Sequence, residues 1–275
     1  MSELRALYTS LFRCAVGMIR FGAYMQMGRN LVTSTMHPGV EFYEGWANEQ
    51  LSDPFRDITL QWKAVHLANL FRRGCPDYSV DTICEVGGAE GTVIATVGQL
   101  LKANKMHCYD LSAKFCKVGS TKYPWIRFLN AAFDGEGDCY DIIILSDITE
   151  HVDDDMALLC DVSKRSRFVL LKMPIEECVA TAEWAFWLRG KAKPLELKYG
   201  RTHYNGHLRG YSRDSAINAV NHYFDVLASY DTDISFYYQA STRFNFLRKI
   251  LGLTPLVWLF GGSLFVLGKS KVWQN

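Results

Sequence analysis

A glycine-rich turn between a predicted strand and a predicted helix is the clearest chemical signal in this sequence. Residues 85–91 read Glu-Val-Gly-Gly-Ala-Glu-Gly, and the helix is predicted to begin at Thr92. Glycines in such a turn let a ligand approach the backbone, and the N–H groups that open the helix lie nearby. The next predicted strand ends in Asp110, whose carboxylate can accept both hydroxyls of a ribose. The pattern predicts a nucleoside-binding site at the carboxyl edge of a parallel sheet.

Two classes of cofactor use this arrangement. Dinucleotide-binding proteins carry the spacing G-x-G-x-x-G, which the chain lacks because Ala89 follows Gly87 at two residues. The turn instead resembles the E/D-x-G-x-G-x-G loop of class I S-adenosylmethionine-dependent methyltransferases, with Ala89 in place of the middle glycine. In that family the acid of the loop lies near the methionine end of the cofactor, and the acid after the second strand binds the ribose. The resemblance therefore gives these roles to Glu85 and Asp110, with S-adenosyl-L-methionine as the cofactor.

Two further segments extend the resemblance, which spans roughly two thirds of the chain. Residues 140–152 are similar to the family's fourth-strand segment, an apolar run followed by acids and a Glu-His pair. Residues 206–212, Gly-His-Leu-Arg-Gly-Tyr-Ser, resemble the GH-x-R-x-[FY]-[ST] segment of small-molecule members. The acid that commonly contacts the adenine amino group is replaced by Ala132, so Asp134 or Phe133 is expected to serve there. The expected cofactor residues are Glu85, Gly87, Gly88, Ala89, Gly91, Asp110, Leu111, Phe133 and Ser146.

The acceptor side is predicted from residue types. Methyl transfer from a sulfonium depends mainly on alignment of the acceptor, and a hydroxyl acceptor is helped by a base. Three histidines are candidate bases, with a solvated loop histidine as the alternative for each, and Asp147 is predicted to face the sulfonium or hold the acceptor. Aromatic residues at helical spacing suit a ring-containing acceptor, with core packing as the alternative. The candidates are His151, His203, His207 and Asp147 for catalysis, and Tyr43, Trp46, Trp184, Trp187 and Tyr204 for the substrate.

Strands that alternate with helices predict the elements that position these residues. The expected fold is α/β, a Rossmann-like, mostly parallel seven-stranded sheet flanked by helices. Residues 1–80 are predicted to form a helical lid, and residues 81–275 the methyltransferase domain, with an aromatic insertion at about 175–211. Residues 250–268 carry no charge, but glycines and a proline interrupt them, so they are predicted to contain a buried strand rather than a membrane span. Strands are predicted at 82–86, 105–110, 126–129, 140–145, 167–172, 224–229 and 263–268, and helices at 92–102, at 156–164 and from 212.

Composition narrows the function further. The formal net charge of +1 offers no positive field for nucleic acid. The eight cysteines form no C-x-x-C pair, which favours free thiols in a reducing cytoplasm and predicts no metal site. We therefore expect O-methylation of a small ring-containing metabolite, such as a sugar or a natural-product scaffold. A non-catalytic methyltransferase-like binding protein and, with less support, a dinucleotide-dependent oxidoreductase are the alternatives, and contact with a membrane surface stays open.

Overall fold

A computed structural model describes residues 40–53, 55–176, 207–233, 250, 252, 257–258 and 261–273. Within these ranges seven strands form one sheet in the order β3-β2-β1-β4-β5-β7-β6. The strands are β1 Thr82–Val86, β2 Lys105–Tyr109, β3 Arg127–Leu129, β4 Tyr140–Ser146, β5 Ser166–Ile175, β6 Phe224–Asp233 and β7 Gly262–Ser270. The helices are α1 Val40–Leu51, α2 Arg56–Gly74, α3 Thr92–Leu101, α4 Ala113–Lys122, α5 Asp155–Arg165 and α6 Arg213–Tyr223.

The sheet is parallel from β3 to β5, and β7 joins it antiparallel between β5 and β6. Its central strands are apolar on both faces, as the run Ile142–Leu145 predicts, because helices cover the sheet on both sides. The predicted fold and all seven predicted strands are confirmed. The uncharged segment before residue 268 ends in β7, and no helix in the described part of the chain has the length and apolarity needed to cross a bilayer.

Two apolar layers hold the helices to the sheet. On one face Leu67 and Phe71 of α2 and Ile94 of α3 pack against β1, β4 and β7. On the other face Val162 of α5 and Val220 of α6 pack against β4, β5 and β7. Because α2 belongs to a sheet-covering layer, α1 is the described part of residues 1–80 that stays available as a lid. Residues 1–39 of the predicted lid lie outside the described ranges.

Helix α4 is present although apolar periodicity does not predict it. Its N-cap is Ser112, whose hydroxyl accepts a hydrogen bond from Phe115 N at 3.2 Å. Gly119 lies inside the helix, where glycine weakens helix propensity. A Cβ at this position would lie 2.4 Å from the Phe128 ring of β3 and 2.9 Å from the Glu90 carbonyl oxygen. Gly119 therefore sets how closely α4 approaches β3 and the glycine turn.

We predict that Gly119→Ala destabilises the protein, although alanine favours a helix by about 1 kcal/mol over glycine. The added methyl group meets a rigid ring and a carbonyl, and overpacking of this kind typically costs about 1–3 kcal/mol. Urea denaturation of both proteins measures the change. Ser120→Ala, at the exposed neighbouring position of the same helix, serves as the control. A Gly119→Ala protein as stable as the parent would show that the Phe128 contact relaxes freely.

Candidate active site

Three residues of the glycine turn have positive φ angles, which few residue types adopt easily. Gly87, Ala89 and Gly91 have φ angles of 68°, 50° and 78°, in the left-handed region where glycine carries no steric penalty. Gly88 has a different requirement, because a Cβ there would lie 2.5 Å from Cys108 Sγ. The turn therefore combines backbone freedom with close packing, and Ala89 adopts the left-handed conformation in the place of the family's middle glycine.

The end of β2 fixes the shape of the turn. The Tyr109 carbonyl oxygen accepts hydrogen bonds from Gly87 N at 2.8 Å and Gly88 N at 3.2 Å. One Asp110 carboxylate oxygen accepts from Ala89 N at 2.8 Å, and the other accepts from Ser112 N at 2.8 Å. The predicted ribose-binding acid therefore lies directly beside the glycine turn. Burial, the largest influence, raises the pKa of Asp110, while these backbone hydrogen bonds oppose the shift.

Glu85 lies inside the protein, behind the turn. Its side chain is buried, and the carboxylate accepts a hydrogen bond from Ile94 N at 3.0 Å, in the first turn of α3. Burial raises the pKa of Glu85 to about 8, and the hydrogen bond from Ile94 opposes that shift. In this position Glu85 connects β1 to the start of α3, so its predicted place near the methionine end of the cofactor stays a prediction.

An ion pair that sequence reasoning missed joins the glycine turn to the helices before it. The Arg56 guanidinium donates to both Glu90 carboxylate oxygens, at 2.9 and 2.8 Å, and to Gln50 Oε1 at 2.7 Å. It also lies 5.1 Å from the centroid of the Phe115 ring. Paired and nearly buried charges of this kind hold their partners firmly in place. Nothing in the spacing of the two residues indicates the pairing, because 34 positions separate them.

Asp147 follows β4 and lies between two lysines. Lys172 Nζ binds one carboxylate oxygen, and Lys63 Nζ lies 2.7 Å from the other. These two cations hold the pKa of Asp147 far below its usual range, although burial opposes them. Both oxygens of the carboxylate are thus engaged by lysines of α2 and β5. A direct contact of Asp147 with the sulfonium or the acceptor remains a prediction.

Two of the three candidate bases meet, and a glutamate joins them. One ligand atom each from Glu150, His151 and His207 lie within 4.8 Å of one another, and all three residues are buried. The centroids of the His151 and His207 rings are 4.7 Å apart, and the angle between the ring planes is 84°. His207 Nδ1 lies 2.9 Å from Glu176 Oε1. The arrangement can accept a proton or hold a cation, and we refer to these three residues as the edge cluster.

Hydrogen bonds between two loops bring the edge cluster together. Leu208 N donates to the Glu150 carbonyl oxygen at 2.7 Å. The Arg209 guanidinium donates to the carbonyl oxygens of Thr149 and Val152 at 2.7 and 2.8 Å. The Gly-His-x-Arg and Glu-His segments of the sequence are therefore joined by backbone contacts. Each segment was predicted separately, but their meeting was not.

Helix α1 covers this edge of the sheet. The Trp46 ring lies 6.4 Å from the His151 ring and 6.3 Å from the Phe115 ring. Burial raises the pKa of Tyr43 to about 12, and the carboxylates of Asp110, Asp153 and Glu150 contribute. The Trp46 ring therefore lies beside the edge cluster. The role of Tyr43 and Trp46 as a lid over the substrate stays a prediction.

The remaining predicted residues have different surroundings. Leu111 is 39% exposed beside Asp110, and Asn130 Nδ2 donates to the carbonyl oxygens of both residues at 2.9 and 3.1 Å. The Phe133 ring packs edge-on against the Tyr109 ring at 5.4 Å. The buried Ser146 Oγ has no hydrogen-bond partner among the described residues. The predicted residues Trp184, Trp187, His203 and Tyr204 lie outside the described ranges.

Comparison with known proteins places the fold. No protein-family model and no curated protein sequence matches the chain. Solved structures do match. A chain of the complex between the Haloferax volcanii Trm112 methyltransferase activator and a candidate methyltransferase is 14% identical, with a TM-score of 0.54 over 83% of this chain and 97% of that one. Magnesium protoporphyrin IX methyltransferase from Synechocystis PCC 6803, solved with S-adenosylmethionine, is 12% identical, with a TM-score of 0.53 over 87% and 100%.

A third similar structure is phosphoethanolamine N-methyltransferase 2 from Haemonchus contortus, in complex with phosphomonomethylethanolamine and S-adenosylhomocysteine. It is 10% identical, with a TM-score of 0.52 over 83% of this chain and 60% of that one. At these identities the likeness concerns the fold. The chain has the fold of class I S-adenosylmethionine-dependent methyltransferases, as the turn and the strand pattern predict.

We predict that Glu85→Gln changes how stability depends on pH. The pKa of Glu85 is about 8 in the folded protein and 4.5 ordinarily, so the folded state keeps a proton that the unfolded state loses. The stability of the parent protein should therefore fall as pH rises from about 4.5 to about 8, by an amount on the order of 3–5 kcal/mol from this group. Glutamine stays neutral and keeps an oxygen for Ile94 N, so the variant should lack this loss.

Urea denaturation of both proteins at pH 5, 7 and 9 measures the difference. Glu49→Gln, at an exposed position of α1, is the control that changes the same charge without burial. Parallel curves of stability against pH for the parent and Glu85→Gln would show that the pKa of Glu85 in the folded protein equals its ordinary value.

Proposed function

We propose that this protein is an enzyme that transfers a methyl group from S-adenosylmethionine to a small molecule. The observation that carries the proposal is the Asp110 carboxylate held against the glycine turn at the carboxyl edge of the sheet. In α/β sheets of this type, ligands bind at that edge. The similar structures support the proposal, because the Synechocystis enzyme was solved with S-adenosylmethionine and the Haemonchus enzyme with S-adenosylhomocysteine.

In this proposal each described residue of the site contacts a different part of the cofactor. Asp110 accepts the ribose hydroxyls, while Leu111 and Phe133 offer apolar surface for the adenine. The backbone of the glycine turn approaches the rest of the nucleoside, and Ser146, at the end of β4, offers its hydroxyl to the cofactor. The acceptor atom attacks the methyl carbon, the bond from that carbon to sulfur breaks, and S-adenosylhomocysteine leaves. Alignment of the two reactants supplies most of the acceleration.

The acceptor in this proposal is a hydroxyl on a small ring-containing metabolite, such as a sugar or a natural-product scaffold. The edge cluster supports it, because a hydroxyl must lose a proton and Glu150, His151 and His207 lie together where that proton can go. Trp46 and Tyr43 of α1 add ring surface beside the cluster, as expected of a lid over a ring-shaped ligand.

Six free cysteines among the described residues support a reducing cytoplasm as the location.

A dinucleotide-dependent oxidoreductase is the competing enzyme class. Against it stand the missing G-x-G-x-x-G spacing and the antiparallel β6–β7 pair at the end of the sheet. A methyltransferase-like protein without activity would bind the cofactor but transfer nothing. Turnover with labelled S-adenosylmethionine and metabolite extracts, read as a gain of one methyl group, separates that protein from an enzyme.

We expect S-adenosylhomocysteine to raise the melting temperature of the protein and NAD to leave it unchanged. Asp110→Ala should weaken S-adenosylhomocysteine binding by about 1–3 kcal/mol, the scale of lost charge-assisted hydrogen bonds. Isothermal titration calorimetry gives the affinity, and Asp225→Ala, at an exposed position of β6, is the matched control. Stabilisation by NAD alone would contradict the proposed cofactor, and unchanged affinity in Asp110→Ala would remove Asp110 from the ribose site.

We predict that His151→Gln and His207→Gln each lower the turnover of a hydroxyl acceptor by about 10²–10⁴-fold, because the proton of the hydroxyl loses its route. The affinity for S-adenosylhomocysteine should stay the same, which is measured on the same preparations. His222→Gln, at an exposed position of α6, is the control histidine. Normal turnover in both variants would favour an amine acceptor that needs no base.

A further inference from the structure

The edge cluster has the composition and placement of a metal site. Two imidazoles and one carboxylate come from two loops at the carboxyl edge of the sheet, and all three side chains are buried. We propose that Glu150, His151 and His207 bind one divalent transition-metal ion of the Zn²⁺ type. The sequence contains no metal ligands at short spacing, and no metal is expected from it, because the second histidine of this cluster comes from a distant segment.

The separations within the cluster are close to those of a metal site. The three ligand atoms lie within 4.8 Å of one another. Ligands of a tetrahedral Zn²⁺ ion, each at about 2.0–2.1 Å from the metal, lie about 3.4 Å apart. Binding of an ion requires the three side chains to rotate so that their ligand atoms come closer together. The hydrogen bonds of Leu208 and Arg209 already join the two loops that carry these side chains.

The glutamate of the cluster offers an unused oxygen. Glu150 is fully buried, and its Oε1 has no hydrogen-bond partner within the part of the chain that the structure describes, while Oε2 accepts from the Thr149 hydroxyl at 3.4 Å. A buried carboxylate oxygen without a partner is unfavourable, and native proteins leave few of them. A bound cation supplies the missing partner. This oxygen is a second observation that points to a ligand at the cluster, independent of the two histidines.

The surroundings of His207 match those of metal-bound histidines. Glu176 Oε1 lies 2.9 Å from His207 Nδ1, and in the neutral ring a hydrogen bond from Nδ1 to this oxygen leaves the lone pair on Nε2. Histidines that bind metals usually make such a hydrogen bond to a carboxylate or a carbonyl through the other ring nitrogen. Glu176 is therefore a positioning residue in this proposal.

The ligand set selects the kind of ion. Imidazoles favour Zn²⁺ and its transition-metal neighbours, whereas Ca²⁺ and Mg²⁺ prefer oxygen ligands alone. Asp147 is not a ligand in this proposal, since Lys63 and Lys172 engage both of its carboxylate oxygens. Three protein ligands leave a coordination position open, as in catalytic zinc sites. With the metal bound, the lone pairs of the two histidines are engaged by the ion, so the ion would ease loss of the acceptor proton in place of an imidazole base; this use of the open position rests on the proposed function.

Metal binding is tested on the full chain after removal of any affinity tag and treatment with a chelator. Cys139→Ser serves as the parent protein, because this exposed thiol is a competing ligand. Titration with Co²⁺, followed by visible absorption, and with Zn²⁺, followed by calorimetry, should show one saturable site. Glu150→Gln and His207→Gln should each weaken binding at least tenfold. Glu176→Gln should weaken it about 10–100-fold, the usual effect of losing the outer partner of a ligand.

His222→Gln is the matched control, and its affinity should equal that of the parent. Melting curves show whether each variant is folded. If His207→Gln does not fold, Glu150→Gln still tests the site, because glutamine keeps the shape of the glutamate side chain. Absence of a saturable site, or equal affinity in folded Glu150→Gln and the parent, would overturn the metal site. S-adenosylhomocysteine binding is measured on the same samples. Cofactor binding without metal binding would leave the proposed function intact, and metal binding without cofactor binding would leave only the metal site.

Discussion

The Asp110 carboxylate at the end of β2 determines the shape of the site. Ala89 has a positive φ, which is costly for a residue other than glycine, and one Asp110 carboxylate oxygen holds it in place by accepting from Ala89 N, while the other accepts from Ser112 N. The sheet register brings the two segments side by side, because Val86 pairs with Tyr109 directly before them. One carboxylate thus connects the turn, the strand beside it and the start of α4. Strand pairing therefore brings the glycine turn and Asp110 together at the carboxyl edge of the sheet.

Charges from α2 then tie the loops to the body of the fold. Arg56 reaches Glu90 in the glycine turn, and Lys63 reaches Asp147 after β4. Removing charges from water is expensive, so each of these groups keeps a partner and the partner's loop keeps its position. The helix that covers one sheet face with Leu67 and Phe71 also carries the cations that fix two loops at the edge. Core packing and site geometry therefore depend on the same helix.

Local patterns in the sequence predict the strands and the acids that follow them. The run Ile142–Leu145 predicts a central strand, and Asp110 follows directly from the place where β2 ends. Helix α4 could not be predicted in this way, since Gly119 is there for a contact with Phe128 of β3. The partners of Glu90 and Asp147 could not be predicted either, because ion pairs between distant residues leave no spacing signal. His151 and His207 were each named as candidate bases, but only the folded chain shows that they meet.

The position of β7 between β5 and β6 has a consequence for the order of folding. The apolar strand β5 pairs with β4 on one side, and its other side is an open edge until β7 arrives from much later in the chain. Chains fold from the N-terminus as they leave the ribosome, and an exposed apolar edge strand readily pairs with a strand of another molecule. The nascent protein thus exposes this edge while the residues between β5 and β7 are being made, and β7, the last of the described strands, closes it.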